Sequence, residues 1–432
     1  MKVAVIGAGW AGLAAAVYAR QAGHEVDLFE ATRTLGGRAR SLNAQLPNGQ
    51  TVELDNGQHI LIGAYQETLT LLQSLGVSTD SALLRQPLAL IYPDGRGLQL
   101  PDLASPLDLL LGLASSRGWR WSDRWSLLRT ALQWKRASFS CPAHLSVSEL
   151  ASPLGPRILH DLIEPLCLSA LNTPTDQASA QVFLRVLQDG LFNVPGGSNL
   201  LLPRVPLGKL LPSAAHDWLL SHGARTHLGM RIRDLRHQSG QWHVEGLAFD
   251  AVLLATPVRD SCRLVGQSME QQPPAIARAL KSWIDVASEL RFEAITTVYA
   301  WSPGLTLSRP MLALSSSDQA PAQFVFDRGQ LDGPPGLLAF VISASRGGRA
   351  ELQSLVIQQA LAQLGIQLTP VLTVTEKLAT FACLPNLHRP AGRIATGLLA
   401  CGDYVQGPYP ATLEGALLNA KAAVLAIEEE MR

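Results

Sequence analysis

At 432 residues the chain exceeds what one hydrophobic core organises, so two or three interleaved domains are expected. Hydrophobic residues make up 47% and charged ones 16%, with 35 basic against 35 acidic side chains. That balance leaves no electrostatic footprint for nucleic acid and suits a large apolar pocket or a membrane-facing patch.

Residues 3–6 read as an apolar strand, Gly7-Ala8-Gly9-Trp10-Ala11-Gly12 as a glycine turn, 13–22 as a helix, and 26–29 as a second strand closed by Glu30. This order predicts a dinucleotide-binding βαβ unit: Gly7 allows the tight turn, Gly9 lets backbone amides approach a pyrophosphate, and Gly12 lets helix and strand pack closely. Glu30 falls where a carboxylate can take both ribose hydroxyls of an adenosine and repel a 2′-phosphate. Lys2 and the apolar residues after it superficially resemble a secretion signal, but the three glycines would break its helix. Gly36-Gly37-Arg38 adds flexible backbone and a cation near the pyrophosphate.

Thr51 to Leu54 is a short strand before the polar turn Asp55-Asn56-Gly57-Gln58-His59, where Gly57 either admits a flat ligand to the backbone or simply serves a hairpin. Tyr65 to Leu75 has helical periodicity and a C-cap at Gly76. Residues 83–101 alternate like strands around Pro93-Asp94-Gly95. Ser105 to Arg136 is expected to be helical, with Leu107, Leu109, Leu110, Leu111 and Leu113 ahead of Trp119, Trp121, Trp125 and Trp134 interleaved with Arg117, Arg120, Arg124, Arg129, Lys135 and Arg136. Indoles beside cations suit an anionic headgroup interface; a helical cap with core tryptophans explains the same composition.

Prolines 153, 156, 165 and 174 break the helices of 146–190. A helix from Leu211 to Leu220, a hairpin of His227–Leu235 and Trp242–Glu245, and a buried strand from Phe249 to Pro257 follow. That strand suits a return of the chain to the nucleotide-binding sheet. Residues 286–301 and 322–345 alternate as strands and 350–364 is a helix, the pieces of a second sheet. Ile394 to Cys401 is a strand, Gly402-Asp403 follows, and Thr412 to Glu429 is a long helix. No apolar run reaches the ~18 residues of a spanning helix. The five cysteines (Cys141, Cys167, Cys262, Cys383, Cys401) show no metal-ligand spacing and read as reduced thiols of a cytoplasmic protein with no metal.

Gly402-Asp403 and the helix near Thr412 separate nicotinamide from flavin. An extended FAD needs a second grip far from its adenosine: Asp403 on a ribitol hydroxyl, and the positive end of the Thr412 helix at flavin N1 and O2, where charge collects on reduction. The expected fold is therefore α/β, a Rossmann-like FAD-binding domain of glutathione reductase type interleaved with a mixed-sheet substrate domain and a helical cap. Residues 1–82, 211–260 and 386–432 are expected on the FAD side, with 83–210 and 261–385 on the substrate side. Ile232, Ala255 and Leu413 complete the candidate FAD contacts.

The opening unit, Gly36-Gly37-Arg38 and Gly402-Asp403 resemble the amine oxidase and phytoene desaturase superfamily of FAD proteins. Asp55 to His59, Glu164 to Thr173, Leu201 to Leu207, and Cys401 to Tyr404 running on to Glu414-Gly415-Ala416 look like its squalene-associated FAD-dependent desaturase family. The resemblance covers essentially the whole chain. It implies a C30 isoprenoid substrate and reduction of hydroxysqualene to squalene with loss of water, with an electron donor to re-reduce the flavin. Desaturation of phytoene-like precursors and non-catalytic escort of an isoprenoid are the alternatives. His59 and Glu164 are candidate proton donors because each lies in a stretch carried by the resemblance; a turn histidine and a helix-end carboxylate before Pro165 are the plainer readings. Residues 105–136 are the candidate peripheral contact with the inner face of the plasma membrane.

Overall fold

A computed structural model describes residues 1–103, 107–269 and 272–430. Its central sheet has six strands in the order Arg225–Leu228, Glu25–Glu30, Lys2–Ile6, Ala251–Leu254, Leu398–Ala400, Arg393–Ala395. All neighbours are parallel except the last pair. Parallel strands are covered on both faces, which is why Val3–Ile6 and Ala251–Leu254 are unbroken apolar runs, all buried. On one face lie helix Trp10–Gln21 and the last helix, Leu413–Glu430. Their facing residues are small, among them Ala15, Ala16, Ala19, Ala420 and Ala423, and allow close approach. On the other face, Phe249 of the antiparallel strands 235–249 meets Phe29 edge-on with ring centroids 6.0 Å apart.

The chain leaves this sheet after Glu30 and returns at Arg225, then leaves again after Leu254 and returns at Arg393. The second excursion builds an antiparallel sheet in the order Met311–Ala313, Phe324–Asp327, Leu337–Ile342, Phe292–Trp301, Thr369–Phe381. Its strands alternate. Val298, Ala300, Val325, Leu338 and Phe340 pack under helix Arg349–Leu364, whereas Tyr299, Phe324, Phe326, Ala339 and Val341 face the centre of the molecule.

Three expectations change. The helix expected from Ser105 starts outside the described residues and is two helices, Leu107–Ser115 and Trp121–Arg136. Gly118, at φ +82°, breaks it, and Arg117 pairs with Gly97 through amide-to-carbonyl bonds in both directions. Residues 286–288 end helix Pro274–Ser288, so the strand begins only at Phe292. His227 and Leu228 join the parallel sheet, and the hairpin is Leu235–Gln238 with Gln241–Val244.

Candidate FAD and substrate site

Between the two sheets runs a cavity of about 730 Å³, within the roughly 300–1,000 Å³ usual for small-molecule sites. At one end is the first glycine turn. Gly7 has φ +106°, and a Cβ on Gly12 would lie 1.8 Å from the Gly7 carbonyl oxygen, so both positions demand glycine. Gly12 itself is buried between helix and turn and does not line the cavity. Helix Trp10–Gln21 has Gly9 at its N-cap and no acid in its first turn, which leaves its first amides for an anion. The second glycine turn packs on the first: the Gly36 amide donates to the Ala8 carbonyl at 2.9 Å.

Glu30 is fixed at the cavity wall. One carboxylate oxygen accepts from the Ala8 amide at 2.8 Å and the other from the Thr32 amide at 2.9 Å and hydroxyl at 3.0 Å. Unused lone pairs remain for hydroxyl donors. Ile232 and Ala255 line the same end. Further along, Arg38 Nη2 donates to Asp403 Oδ1 at 2.5 Å and Nη1 to the Ala379 carbonyl at 2.6 Å, so the guanidinium bridges the glycine turn, the last loop and strand Thr369–Phe381. Asp403 is 6% exposed, and among the described residues its Oδ2 has no protein donor.

The loop after Asp403 is pinned by Asn419 of the last helix, whose Nδ2 donates to the carbonyls of Gly402 at 2.8 Å and Val405 at 3.1 Å. It ends at Ala411, held at φ +58°, before Thr412 caps the helix by accepting from the Gly415 amide at 3.0 Å. Ala411, Thr412, Leu413 and Ala416 all face the cavity. Glu414 turns the other way. Its buried carboxylate accepts the Glu67 and Thr68 amides at 2.9 Å each and the Thr68 hydroxyl at 2.7 Å, capping helix Gln66–Ser74; burial pushes its pKa up.

Part of the lining is apolar. Ile295, Phe324, Phe326 and Val341 of the antiparallel sheet face Ile60, Leu168 and Ala170. Gly57 and His59 line the same cavity. His59 Nδ1–H donates to the Gly57 carbonyl at 2.8 Å, so Nε2 is the nitrogen that gains or loses the titrating proton, and among the described residues it has no partner. Burial lowers the His59 pKa, the Gly57 bond partly restores it, and the Arg38 charge lowers it again.

Glu164 is not brought to the site. Its half-exposed side chain pairs with His160 at 3.7 Å, while Pro165 and Cys167 of the same helix, Glu164–Leu171, are buried and Leu168, Ser169 and Ala170 line the cavity. The residue missed there is Asn172, the left-handed C-cap at φ +46°. It donates to Thr380 Oγ1 at 2.9 Å and accepts from the Ala344 amide at 2.6 Å, locking the helix to the antiparallel sheet. Tyr65 and Glu376 also line the cavity unforeseen. An asparagine directly after a helical stretch was the available signal for Asn172; Glu376 sits on a strand whose mixed composition gave none.

Comparison with known proteins decides the class of site. The family model of flavin-containing amine oxidoreductases matches residues 10–427. The chain belongs to this family. It is an FAD-dependent oxidoreductase, and the carboxylate, cation, carboxylate and helix terminus spaced along the cavity suit that cofactor. Among curated relatives it is 25% identical over 97% of both chains to a hydroxysqualene dehydroxylase of Zymomonas mobilis. It is 27% identical to another from Rhodopseudomonas palustris, over 98% of this chain and 97% of the relative. A 15-cis-phytoene desaturase of Glycine max is 24% identical over 100% of this chain and 80% of its own. In fold it is similar to a solved oxidoreductase from Methanosarcina mazei, with TM-score 0.71 and 18% identity over 99% of this chain and 100% of that one.

Proposed function

We propose that this flavin enzyme reduces an allylic isoprenoid alcohol, converting hydroxysqualene to squalene with loss of water. The observation that carries the reading is the set of apolar side chains, Ile60, Leu168, Ile295, Phe324, Phe326 and Val341, that line the same cavity as Asp403. An apolar wall suits a polyene chain. The nearly full-length likeness to two hydroxysqualene dehydroxylases supports the same substrate class.

In this reading Glu30 takes the adenosine ribose hydroxyls. The amides after Gly9, with Gly37 and Arg38, face the pyrophosphate. Asp403 would accept from a hydroxyl of the cofactor, and the Thr412–Leu413 helix end would offer its positive pole to the reduced flavin. Residues 1–82, 211–260 and 386–432 form the FAD side, with 83–210 and 261–385 the substrate side. Bound and reduced, the flavin supplies hydride for the carbon that loses oxygen. The chain must hold that carbon dry and deliver a proton to the departing hydroxyl, since water leaves far more readily than hydroxide. Phe324, Phe326 and Val341 exclude water around the carbon. Of the two donors the sequence suggested, only His59 lines the cavity, and we assign it the proton through Nε2. Burial lowers the His59 pKa, so the protonated ring gives up its proton more readily than an ordinary histidine.

The phytoene desaturase likeness favours a second reading, in which the flavin runs in the opposite direction on a longer polyene. Anaerobic mixing separates the two. Photoreduced enzyme reoxidised by hydroxysqualene, with squalene appearing, supports dehydroxylation. Inertness to hydroxysqualene, with oxidised enzyme bleached by phytoene, rejects it. Tight binding of either polyene with no flavin response leaves only an escort role.

A further inference from the structure

The two helices that replace the single expected one each carry an exposed apolar stripe beside the face that packs on the core. In Leu107–Ser115 the buried residues are Asp108 and Gly112, while Leu107, Leu110 and Leu111 are 47–57% exposed on one stripe. In Trp121–Arg136 the stripe Trp121, Trp125, Leu132 faces solvent, with Trp121 77% and Trp125 69% exposed. Trp119 and Trp134, from the same run of sequence, are buried core residues. Apolar spacing of three and four normally marks the face a helix hides. Here Leu109, Leu113, Leu127 and Trp134 pack inward, and the exposed stripes are additional apolar surface.

Arg124 joins the two stripes. Its guanidinium donates to the carbonyls of Ala114 at 2.7 Å and Ser116 at 2.5 Å, closing the end of the first helix, and lies 4.8 Å from the Trp121 ring centroid. Around the stripes stand the exposed cations Arg117, Arg120, Arg129, Lys135 and Arg136. The carboxylates of this segment are occupied: Asp108 is buried and Asp123 accepts the Arg120 amide at 2.9 Å. The net character of the face is apolar and positive. No helix among the described residues is long and apolar enough to cross a membrane.

We infer that this face docks the protein on an anionic lipid bilayer, with Trp121, Trp125, Leu110 and Leu111 entering the headgroup boundary and Arg117 and Arg120 meeting lipid phosphates. Charge complementarity chooses the occupant, because a second copy of the same face would bring its own cations against these. The position also suits delivery of a water-insoluble substrate. Trp119 Nε1 donates to Asp161 at 3.3 Å, and Asp161 lies in the turn Leu159–Ile163 that runs into the helix carrying Leu168 and Ala170 to the cavity wall. The docking itself rests only on the exposed stripes and cations and holds whatever the substrate is.

Cosedimentation of the FAD-loaded protein with vesicles tests it, without any turnover. Vesicles containing phosphatidylglycerol should bind the protein, and pure phosphatidylcholine vesicles should bind it much less. Trp121→Ser with Trp125→Ser should weaken binding by about tenfold or more, and Arg117→Gln or Arg120→Gln by about fivefold each in low salt, with flavin absorbance unchanged. Leu425→Ser, which removes an exposed leucine elsewhere, serves as the control and should bind like the parent protein. The inference is overturned if the parent protein ignores both vesicles or the double serine variant still sediments fully. It is equally overturned if ultracentrifugation shows a dimer that the serine changes dissolve, since a second copy would then own the face.

Discussion

Replacing Asp403 by alanine tests whether the far end of the cofactor is gripped by the last loop. The carboxylate is nearly buried, one oxygen is 2.5 Å from Arg38 and the other is free of protein donors, so two interactions are lost at once. A hydrogen bond to a charged acceptor contributes about 1.5–3 kcal/mol. The ion pair adds little, because the Arg38 side chain is 37% exposed and such pairs are worth at most ~1 kcal/mol. Arg38 also stays anchored through Nη1 on the Ala379 carbonyl at 2.6 Å. Asp403→Ala should therefore weaken FAD binding by about 2 kcal/mol, roughly 30-fold, read by titrating the apoprotein with FAD. Asp403→Asn keeps an acceptor and should cost less. If Asp403 acted only by holding Arg38, adding Asp403→Asn to Arg38→Gln would change nothing further; a direct contact makes the two losses add. An FAD dissociation constant within threefold of the parent for Asp403→Ala would refute the assignment.

Gly12→Ala puts a Cβ against the Gly7 carbonyl and should yield protein without flavin absorbance and with a melting temperature several degrees lower. If His59 delivers the proton, turnover should rise as pH falls toward a value below the ordinary 6.5 of histidine, and His59→Gln should flatten that profile while leaving FAD bound. Asp55 is buried and its pKa is pushed up to about 6 from the ordinary 3.8, chiefly by desolvation, with the Leu207 amide and Arg328 pulling the other way. A raised carboxyl stabilises the fold fully below 3.8 and loses that contribution as pH rises through about 6. The ionised form then costs on the order of 3 kcal/mol at ~1.4 kcal/mol per pH unit. Asp55→Asn should thus be at least as stable as the parent in urea at pH 8 and lose that advantage near pH 4; the reverse ranking would show that Arg328 needs the charge.

The part of the cavity assigned to the cofactor was legible as a set of motifs because its parts are local. A glycine turn between strand and helix, an acid closing the next strand, and Gly402-Asp403 before a helix each carry their meaning within a few residues. The substrate half is assembled from distant strands. Nothing in the mixed run Thr369 to Phe381 announces a 13-residue strand that places Glu376 and Thr380 at the cavity. Glu164 shows the same limit: the stretch reaches the cavity through Leu168, Ser169 and Ala170, while the Glu164 side chain stays half-exposed beside His160. For the tryptophan helices, composition gave the residue types and only packing could say that Trp119 and Trp134 turn in while Trp121 and Trp125 turn out.

The interleaving of the central sheet sets a schedule for biogenesis. Strand Ala251–Leu254 waits for Leu398–Ala400 to cover its open edge, and Asp403 follows only after that. During synthesis the glycine turn emerges long before Asp403, which is proposed to hold the other end of the cofactor. An unpaired parallel edge and slow, non-local closure make such a nascent chain dependent on protection from aggregation. Retained flavin colour in a cell lysate is thus a marker of chains in which the last strands have docked, and stalled or truncated products should be both colourless and insoluble.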